Sequence, residues 1–183
     1  KHLRRGLDAR AGAVYGWGVR YPAVLALALA AGCVVAVPKS RLEPQDRVAV
    51  KPHASPIFHA IQYLLGKQTR EKLDHFRGYK GAQSYPSRTK DADDVDFSTG
   101  SVGLGVAQTL FSSLVQDYVH AHGFAMDKPE GRMIALVGDA ELDEGNIFEA
   151  ILDGWKQSLR NCWWIVDYNR QSLDAVVREG LWE

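Results

Sequence analysis

Two apolar segments separated by one amphipathic segment constrain the fold of this chain more than any other feature. Residues 132–137 (RMIALV) have the composition of a short buried strand, and Cys162–Asp167 (CWWIVD) has that of a second. Residues 146–160 between them have the apolar periodicity of a helix that Asn146 would cap. A strand, a helix and a strand in this order predict an α/β fold, a parallel sheet flanked by helices in three layers. The helix residues expected in the core are Ile147, Phe148, Ile151, Leu152, Trp155 and Leu159, and Trp163 and Trp164 are expected to fill core or interface volume.

Polar residues follow both predicted strands. The first strand leads into Gly138-Asp139-Ala140-Glu141, and the second leads into Tyr168-Asn169-Arg170-Gln171. Ligands of open α/β sheets bind beyond the carboxyl ends of the strands. Asn169 follows Asp139 by 30 residues, and neighbouring parallel strands lie only ~4.8 Å apart, so the two side chains can share one cation. Taken singly, Asp139 fits the start of a loop and Asn169 a turn cap, but their spacing favours a shared site.

The oxygen ligands at these strand ends predict the kind of cation. A carboxylate from Asp139, an amide oxygen from Asn169 and a backbone carbonyl near Gln171 suit Mg²⁺ better than zinc, since neither Cys nor His is nearby. Magnesium usually shares its coordination shell with phosphate and water. The sequence therefore predicts a magnesium site that holds a diphosphate.

A glycine-rich segment, 99–105 (TGSVGLG), precedes a predicted helix over 106–119. Glycines at a helix start let a ligand approach the backbone, and the free N–H groups there attract anions. The alternative is a tight helix–sheet contact that needs small residues, and the pattern alone does not decide between the two. The helix residues expected to be buried are Leu110, Phe111, Leu114, Val115, Tyr118 and Val119.

His53 is the candidate for proton transfer. It precedes Ser55-Pro56, which predicts a helix with Ser55 as N-cap and proline in the first turn. The positive end of the helix dipole favours a neutral imidazole, which can exchange protons with a substrate. A lone histidine is otherwise more often a cap or packing residue. No site role is expected for His59, His75, His120 and His122, which fit helix surfaces or ends.

Charge and cysteine content narrow the class of protein. Lys and Arg balance Asp and Glu at 22 each, which gives no electrostatic reason to expect nucleic acid or an anionic membrane as partner. Cys33 and Cys162 both lie in apolar segments and are expected to be buried thiols of a reducing compartment, the cytoplasm. The acidic run 91–96 lacks the glycine and downstream glutamate of a calcium-binding EF-hand loop, so a solvated loop is expected.

The chain divides into an N-terminal segment, 1–50, and a main domain, 51–183. The apolar run 21–38 is short for a membrane span and contains Pro22, so a buried helix over 23–31 and a strand over 33–37 are expected instead. Residues 38–52 are expected to be a surface connection, 68–76 a polar helix and 77–99 a long loop. The first residue is Lys and the chain closes on Trp182-Glu183, so the domain is expected to be truncated at its C-terminal end.

Several blocks in one order resemble a known family. Gly138-Asp139-x-Glu141 with Asp-x-Asn169-x-Gln171 is similar to the thiamine diphosphate motif. The closest resemblance is to the homodimeric bacterial pyruvate dehydrogenase decarboxylating component, in the transketolase-like superfamily. The other blocks that carry it are His53-Ala-Ser-Pro56, Leu65-Gly66, Leu73-Asp74-x-Phe76-Arg77, Ser84-Tyr85-Pro86, Ser101-x-Gly103-Leu104-Gly105 and Gly138-Asp139-Ala-Glu141-x-Asp143-Glu144. They span about residues 50–177.

The resemblance implies a thiamine diphosphate- and Mg²⁺-dependent oxidative decarboxylation of a 2-oxoacid, most simply pyruvate. The acyl group would pass to a lipoyl-bearing acyltransferase component, and the enzyme would be a homodimer. Asp139, Asn169 and the Gln171 carbonyl would hold Mg²⁺, and His53 would assist proton transfer. The residues implied for cofactor binding are Ser101, Val102, Gly103, Gly138, Asp139, Ala140, Glu141, Asn169, Gln171 and Leu173.

The chain departs from the family pattern at two positions. Ala140 replaces the third residue of Gly-Asp-Gly, and its methyl group fits without strain only if its φ is negative. Ser87 stands where the family has a histidine after Ser-Tyr-Pro. These two departures motivate one alternative, a non-catalytic module that retains the fold. A second alternative is a transketolase-type two-carbon transfer, which Ser87 does not decide. The family also activates its cofactor with a glutamate from a second domain, so the 183-residue segment alone is expected to be inactive.

Overall fold

The computed structural model describes residues 43–91 and 94–171 of the 183-residue chain. In this part the chain forms three strands, β1 (Arg47–Ala49), β2 (Met133–Gly138) and β3 (Cys162–Asp167). It also forms four α-helices, α1 (Ser55–Leu64), α2 (Arg70–Asp74), α3 (Leu104–Ala121) and α4 (Gly145–Lys156). Single 3₁₀ turns precede α1 at Pro52–Ala54 and follow β2 at Asp139–Asp143.

The three strands form one parallel sheet in the order β1-β2-β3. The central strand β2 is buried along its whole length, and its Gly138 lies opposite Asp167 of β3. The segment from β2 through α4 to β3 is the predicted strand–helix–strand unit. The prediction of an α/β fold with a parallel sheet is confirmed.

Side chains alternate between the two faces of the sheet, which creates three layers. Val48, Ile134 and Leu136 lie on one face, where they pack with Phe58 of α1. On the other face lie Ala49, Ala135 and Val137, packed with Val106 of α3 and Ile147 of α4. The sheet therefore separates α1 from α3 and α4, and both faces are covered. Trp163 and Trp164 of β3 pack half-buried against these clusters, as expected.

Helix α4 packs through Ile147 and two small residues, which corrects part of the predicted core stripe. Its buried positions are Ile147, Ala150 and Gly154, and a Cβ added at Gly154 would lie 2.7 Å from Leu110 Cδ1 of α3. Because the two helices approach this closely, the larger apolar side chains are displaced outward. Four residues predicted to lie in the core are largely exposed instead: Phe148 (62%), Ile151 (46%), Leu152 (50%) and Trp155 (78%).

Helix α3 shows the same displacement. Its buried residues are Val106, Ala107, Thr109, Leu110 and Ser113, a stripe of mostly small side chains. Of the six residues predicted to be buried, Leu110 is buried, whereas Leu114 and Val119 are half-buried. The prediction is wrong for Phe111, Val115 and Tyr118, which are 44%, 59% and 60% exposed. The helical periodicity of the apolar residues was predicted correctly, but the buried face of α3 is shifted by about one residue from the predicted face.

Helix ends differ from the predicted ones in three places. Ala54 is the N-cap of α1 and Ser55 lies inside the helix, although the predicted first-turn proline is present. Glu144, and not Asn146, precedes α4. Helix α4 ends at Lys156 because Ser158 adopts a left-handed φ of 55°, with its N–H donating to the Trp155 carbonyl oxygen. The predicted polar helix is the short α2, capped by Thr69.

The segment before α1 contains a strand that the sequence did not predict. Residues 38–52 were expected to be a surface connection, yet β1 lies within them and pairs with β2. The loop over 77–99 does lack helix and strand in its described residues. The Asp91 carboxylate accepts from the Gln83 and Ser87 N–H groups, and the Asp96 carboxylate accepts from the Val48 N–H. These carboxylates therefore organise the loop, which was expected to be only a solvated acidic run.

His59 corrects a further expectation, since it is completely buried in α1. Its Nε2 lies 2.9 Å from the Gln83 carbonyl oxygen and its Nδ1 lies 3.4 Å from Gln68 Nε2. The ring also makes edge contacts with Phe58 and Phe76. His59 therefore holds the long loop and the residues before α2 against α1.

Cys162 is a free, half-buried thiol, and burial raises its pKa. No helix among the described residues combines the length and the apolar character needed to cross a bilayer. The helix expected over 23–31, the strand over 33–37, Cys33 and Leu173 lie outside the described residues. Those expectations, and the division at residue 50, stay predictions.

A buried ion pair fixes the amino-terminal end of the sheet. The Asp46 carboxylate is 1% exposed and accepts hydrogen bonds from the Arg132 N–H, the Arg132 side chain and the Glu43 N–H. Burial alone would raise the pKa of Asp46. Those hydrogen bonds and the positive charge of Arg132 outweigh the burial and hold the pKa below the ordinary value of 3.8. Because Asp46 precedes β1 and Arg132 precedes β2, the pair sets the register of the two strands.

Replacing Asp46 with Asn tests this pair. We expect D46N to lower the free energy of unfolding of the intact protein by about 2–4 kcal/mol at pH 7, because the half-buried Arg132 loses its counter-charge. A carboxyl group whose pKa is lower in the folded than in the unfolded state stabilises the fold at pH values above its unfolded-state pKa. This stabilisation is lost as the pH falls through the folded-state pKa. The advantage of the wild type over D46N should therefore begin to decrease below about pH 4 and disappear as the pH falls through the lowered folded-state pKa of Asp46. Urea unfolding at several pH values measures this, with the exposed Asp74 as control: D74N should cost less than about 1 kcal/mol.

Two glycines of α4 provide a matched test of the close helix contact. A Cβ at Gly154 would meet the Leu110 side chain, whereas a Cβ at Gly145 would meet nothing within 4 Å. We expect G154A to lower stability by about 1–3 kcal/mol through overpacking. G145A should be neutral or stabilising by up to about 1 kcal/mol, since alanine favours helix. Thermal unfolding of both variants measures the difference; equal effects would mean that α3 and α4 do not pack as described.

Candidate functional site

The carboxyl ends of β2 and β3 lie side by side, because Gly138 pairs with Asp167. Asp139 follows β2 directly and is 1% exposed. Its Oδ1 accepts a hydrogen bond from the Ala140 N–H at 2.9 Å. Its Oδ2 accepts one from the Arg170 N–H at 2.6 Å. The Asp139 side chain thus reaches across to the segment that follows β3, and the structure brings the two predicted strand ends together.

Asn169 and Gln171 lie in that segment and are exposed. Asn169 Oδ1 accepts a hydrogen bond from the Gln171 N–H at 2.8 Å, and Asn169 Nδ2 lies 3.4 Å from Asp167 Oδ2. An amide oxygen has two lone pairs, so Asn169 Oδ1 retains one for a cation. The Asn169 side chain is oriented by the residues on either side of it.

Arg170 has a left-handed backbone with a φ of 59°. This conformation costs a non-glycine residue about 1 kcal/mol or more, and it persists only where the surroundings enforce it. The hydrogen bond from the Arg170 N–H to Asp139 is one such constraint. The hydrogen bond that Asp139 accepts therefore shapes the turn that presents Asn169 and Gln171. The same bond connects the end of β2 to the segment that follows β3.

The Glu141 side chain joins the end of β2 to the start of α3. Its Oε2 accepts a hydrogen bond from the Gly138 N–H at 2.7 Å, and its Oε1 accepts one from the Gly103 N–H at 3.4 Å. Glu141 is only 5% exposed. The resemblance implied cofactor binding by Glu141, and nothing in the sequence indicated this bridge by its carboxylate.

Gly103 must be glycine in this arrangement. Its φ is 78°, and an added Cβ would lie 2.7 Å from Asn146 Oδ1 and 3.0 Å from Glu144 Cβ. The glycine-rich segment therefore packs tightly against the start of α4, whereas the alternative interpretation expected a contact between helix and sheet. Ser101 is exposed and Val102 half-buried, so both can still contact a ligand held at the strand ends.

Ala140 lies in the 3₁₀ turn after β2, and it is not among the residues with positive φ. Alanine therefore fits this position of the motif without backbone strain. Ser87, the second departure from the family pattern, donates its N–H to Asp91 and places its Oγ 3.4 Å from Thr89 Oγ1.

His53 lies in the turn that follows β1, at the same edge of the sheet, and is exposed. The neighbouring loop is anchored there as well. The Thr99 hydroxyl donates to the Val50 carbonyl oxygen and the Thr99 N–H donates to the Pro86 carbonyl oxygen. A Cβ at Gly100 would lie 3.7 Å from the Tyr85 ring. The Ser84-Tyr85-Pro86 segment thus packs beside the glycine-rich segment and the end of β1.

Sequence reasoning missed one contact at this edge. Lys51, two residues after β1, forms a buried ion pair with Asp167 at the end of β3. Asp167 is the first residue of the Asp-x-Asn169-x-Gln171 motif, but without knowledge of β1 nothing in the sequence indicated that a lysine reaches it. The local signal that could have found it is a lysine two residues before the candidate histidine.

The donor set of this edge fits a hard cation that also binds a ligand. The described residues contain no group of three or more His, Cys, Asp or Glu side chains that could hold a metal. The oxygens that this edge offers to a cation are the buried carboxylate of Asp139, the amide oxygen of Asn169 and a backbone carbonyl at Gln171. Three protein oxygens leave about three of six positions for phosphate or water, as Mg²⁺ prefers.

Sequence comparison finds proteins that are related to most of this chain. The chain is 32% identical over 136 residues to the pyruvate dehydrogenase E1 component of Cupriavidus necator. It is 33% identical over 138 residues to that of Pseudomonas aeruginosa. Each match covers 73% of this chain but 15% of the relative, so the chain corresponds to about one seventh of those proteins. No protein-family model matches the chain.

Structure comparison finds the same fold in transketolases. The transketolase of Campylobacter jejuni superposes with a TM-score of 0.59 at 24% identity, over 75% of this chain and 22% of that one. A transketolase of Pichia stipitis gives 0.60 at 24% identity, over 72% and 20%. At this identity the likeness concerns the fold alone. The chain is thus a relative of one segment of the pyruvate dehydrogenase E1 component, and it has the fold that is also found in transketolases.

Proposed function

We propose that this chain supplies the diphosphate-binding part of a thiamine diphosphate- and Mg²⁺-dependent enzyme that oxidatively decarboxylates a 2-oxoacid, with pyruvate as the preferred substrate. The observation that carries the proposal is the junction of the two strand ends, where Asp139 Oδ2 accepts from the Arg170 N–H beside Asn169. The kinship with the pyruvate dehydrogenase E1 component supports the reaction class.

The proposed magnesium ligands are Asp139, Asn169 and the Gln171 carbonyl oxygen. Burial of Asp139 favours this role, because a carboxylate in a poorly solvated position binds a cation more strongly than one in water. The backbone N–H groups of Ala140 and Glu141 would face the diphosphate. Residues 101–103 and Leu173 would line the rest of the cofactor.

Bound thiamine diphosphate supplies a carbon nucleophile and an electron sink for the carbon–carbon bond that breaks. The residues of this chain bind and orient it and compensate its charge. The His53 imidazole, exposed at the same edge, would exchange a proton with the substrate. Glu141 would keep the glycine-rich segment in register with the diphosphate through its hydrogen bonds to Gly138 and Gly103.

The proposed partners are a lipoyl-bearing acyltransferase component, which accepts the acyl group, and a second copy of the chain. The outward faces of α3 and α4 support the homodimer. They expose large apolar side chains, which mark interfaces when they occur together: Phe111, Val115 and Tyr118 on α3, and Phe148, Ile151, Leu152 and Trp155 on α4. The free thiol of Cys162 is compatible with the reducing cytoplasm as location.

Asp139→Asn in the intact protein tests the metal site. The variant keeps the size of the side chain but loses the charge, so we expect Mg²⁺–thiamine diphosphate to bind at least about a hundredfold more weakly, since even outer-shell changes cost 10–100-fold. Isothermal titration calorimetry with Mg²⁺ and thiamine diphosphate measures the affinity. The control is D143N, an exposed carboxylate in the same 3₁₀ turn, whose affinity should be unchanged.

Substrate turnover separates the proposed reaction from its rivals. The intact wild-type protein should release carbon dioxide from pyruvate and show little activity on xylulose 5-phosphate. Turnover of the sugar phosphate in preference to pyruvate would instead indicate a transketolase-type transfer. Absence of calorimetric heat with Mg²⁺ and thiamine diphosphate would indicate a non-catalytic module.

A further inference from the structure

The Lys51–Asp167 ion pair crosses the carboxyl edge of the sheet. Lys51 follows β1 and Asp167 ends β3, so the pair spans the end of the strand between them, β2. A Cβ built on Gly138, the last residue of β2, would lie 3.8 Å from Lys51 Nζ. The ammonium therefore sits above the end of β2, next to the residue that precedes Asp139.

Both side chains of this pair are nearly inaccessible to solvent, with 9% exposure for Lys51 and 5% for Asp167. A buried ion pair contributes little net stability, because desolvation of the two charges offsets their attraction. Two uncharged side chains that share a hydrogen bond would join β1 to β3 at lower desolvation cost. The pair therefore needs a further explanation, and its place at the proposed cofactor site suggests one.

The other buried carboxylates at this edge already have their own donors. The Asp139 oxygens accept from the Ala140 and Arg170 N–H groups, and the Glu141 oxygens accept from two glycine N–H groups. An ammonium has three N–H donors, and Asp167 takes one of them. Lys51 can therefore donate to a further acceptor without releasing Asp167.

A diphosphate brought to this edge would add negative charge beside Asp139, Glu141 and Asp167. The magnesium ion compensates only part of that charge. A buried ammonium close to the end of β2 would compensate more of it, and it would do so strongly because little water screens the interaction. The requirement for charge balance and the position of Lys51 point to the same role.

We infer that Lys51 binds an oxygen of the cofactor diphosphate through its ammonium, and that Asp167 is a positioning residue that holds this ammonium over the end of β2. The inference rests on the proposed function and adds to it a ligand that comes from β1. In this arrangement the residues that follow β2 and β3 supply the oxygens for the cation, and Lys51 after β1 supplies a fixed positive charge for the phosphate.

The test uses the double variant K51Q/D167N of the intact protein. This variant removes both charges of the ion pair together and replaces them with two amides that can still hydrogen-bond. The amide oxygen at position 167 can still accept from Asn169 Nδ2, so the fold should survive. Calorimetric titration with thiamine diphosphate in the presence of Mg²⁺ should give an affinity about tenfold to a hundredfold below that of the wild type. The wild-type affinity should also fall more steeply with added sodium chloride than that of the variant.

Two probes and one control variant separate phosphate binding from a structural role. Inorganic pyrophosphate with Mg²⁺ should show the same loss of affinity in K51Q/D167N, whereas thiamine without phosphate should bind both proteins equally. The control is K67Q/D94N, which removes an exposed Lys–Asp pair with a 3.7 Å contact and should leave all affinities unchanged.

Wild-type affinity for pyrophosphate and for thiamine diphosphate in K51Q/D167N would overturn the role of Lys51 while leaving the proposed function intact. An equal loss of affinity for all three probes would also overturn it, because it would show a general disturbance of the site. If the wild type itself binds neither diphosphate, both the proposed function and this inference fail.

Discussion

The hydrogen bond between the Asp139 carboxylate and the Arg170 N–H is the contact on which the site depends. It forms because β2 and β3 are parallel neighbours in a register that sets Gly138 opposite Asp167. One buried carboxylate then shapes the turn that carries Asn169 and Gln171, although Arg170 must adopt a left-handed backbone to make it. The carboxylate that organises the turn is the one that we propose as a ligand of the cation.

The two ends of the sheet use charge in different ways. At the amino end, Asp46 and Arg132 join β1 to β2 and set their register, and every oxygen of the carboxylate is used within the fold. At the carboxyl end, Lys51 and Asp167 join β1 to β3, and the ammonium keeps donors for a ligand. The first pair therefore sets the register of two strands, whereas the second is the pair for which we infer a role in binding the diphosphate.

The sequence was sufficient to predict the central unit of the fold. Strands β2 and β3 are continuous apolar segments, and such segments signal a sheet covered on both faces. The polar residues after them, Asp139 and Asn169, could be placed at one edge because parallel strands end together. These inferences needed only local pattern and the geometry of a parallel sheet.

The remaining features depend on tertiary contacts that no local pattern encodes. Strand β1 has three residues and lies among charged residues and prolines, so its pairing with β2 supplies the only evidence that it is a strand. The packed faces of α3 and α4 are set by Gly154 and Leu110, whose close approach moves larger apolar side chains outward. His59 is buried because a carbonyl oxygen 24 residues away accepts its hydrogen bond. The Lys51–Asp167 pair spans 116 residues and depends on the position of β1.

A crystal structure of the intact protein grown with thiamine diphosphate and Mn²⁺ tests the central claim most directly. Anomalous scattering locates Mn²⁺, which replaces Mg²⁺ at oxygen sites. We expect one ion within about 2.0–2.3 Å of Asp139 and of Asn169 Oδ1, with diphosphate oxygens completing its shell. An ion that is bound elsewhere, or a diphosphate held away from the ends of β2 and β3, would contradict the account.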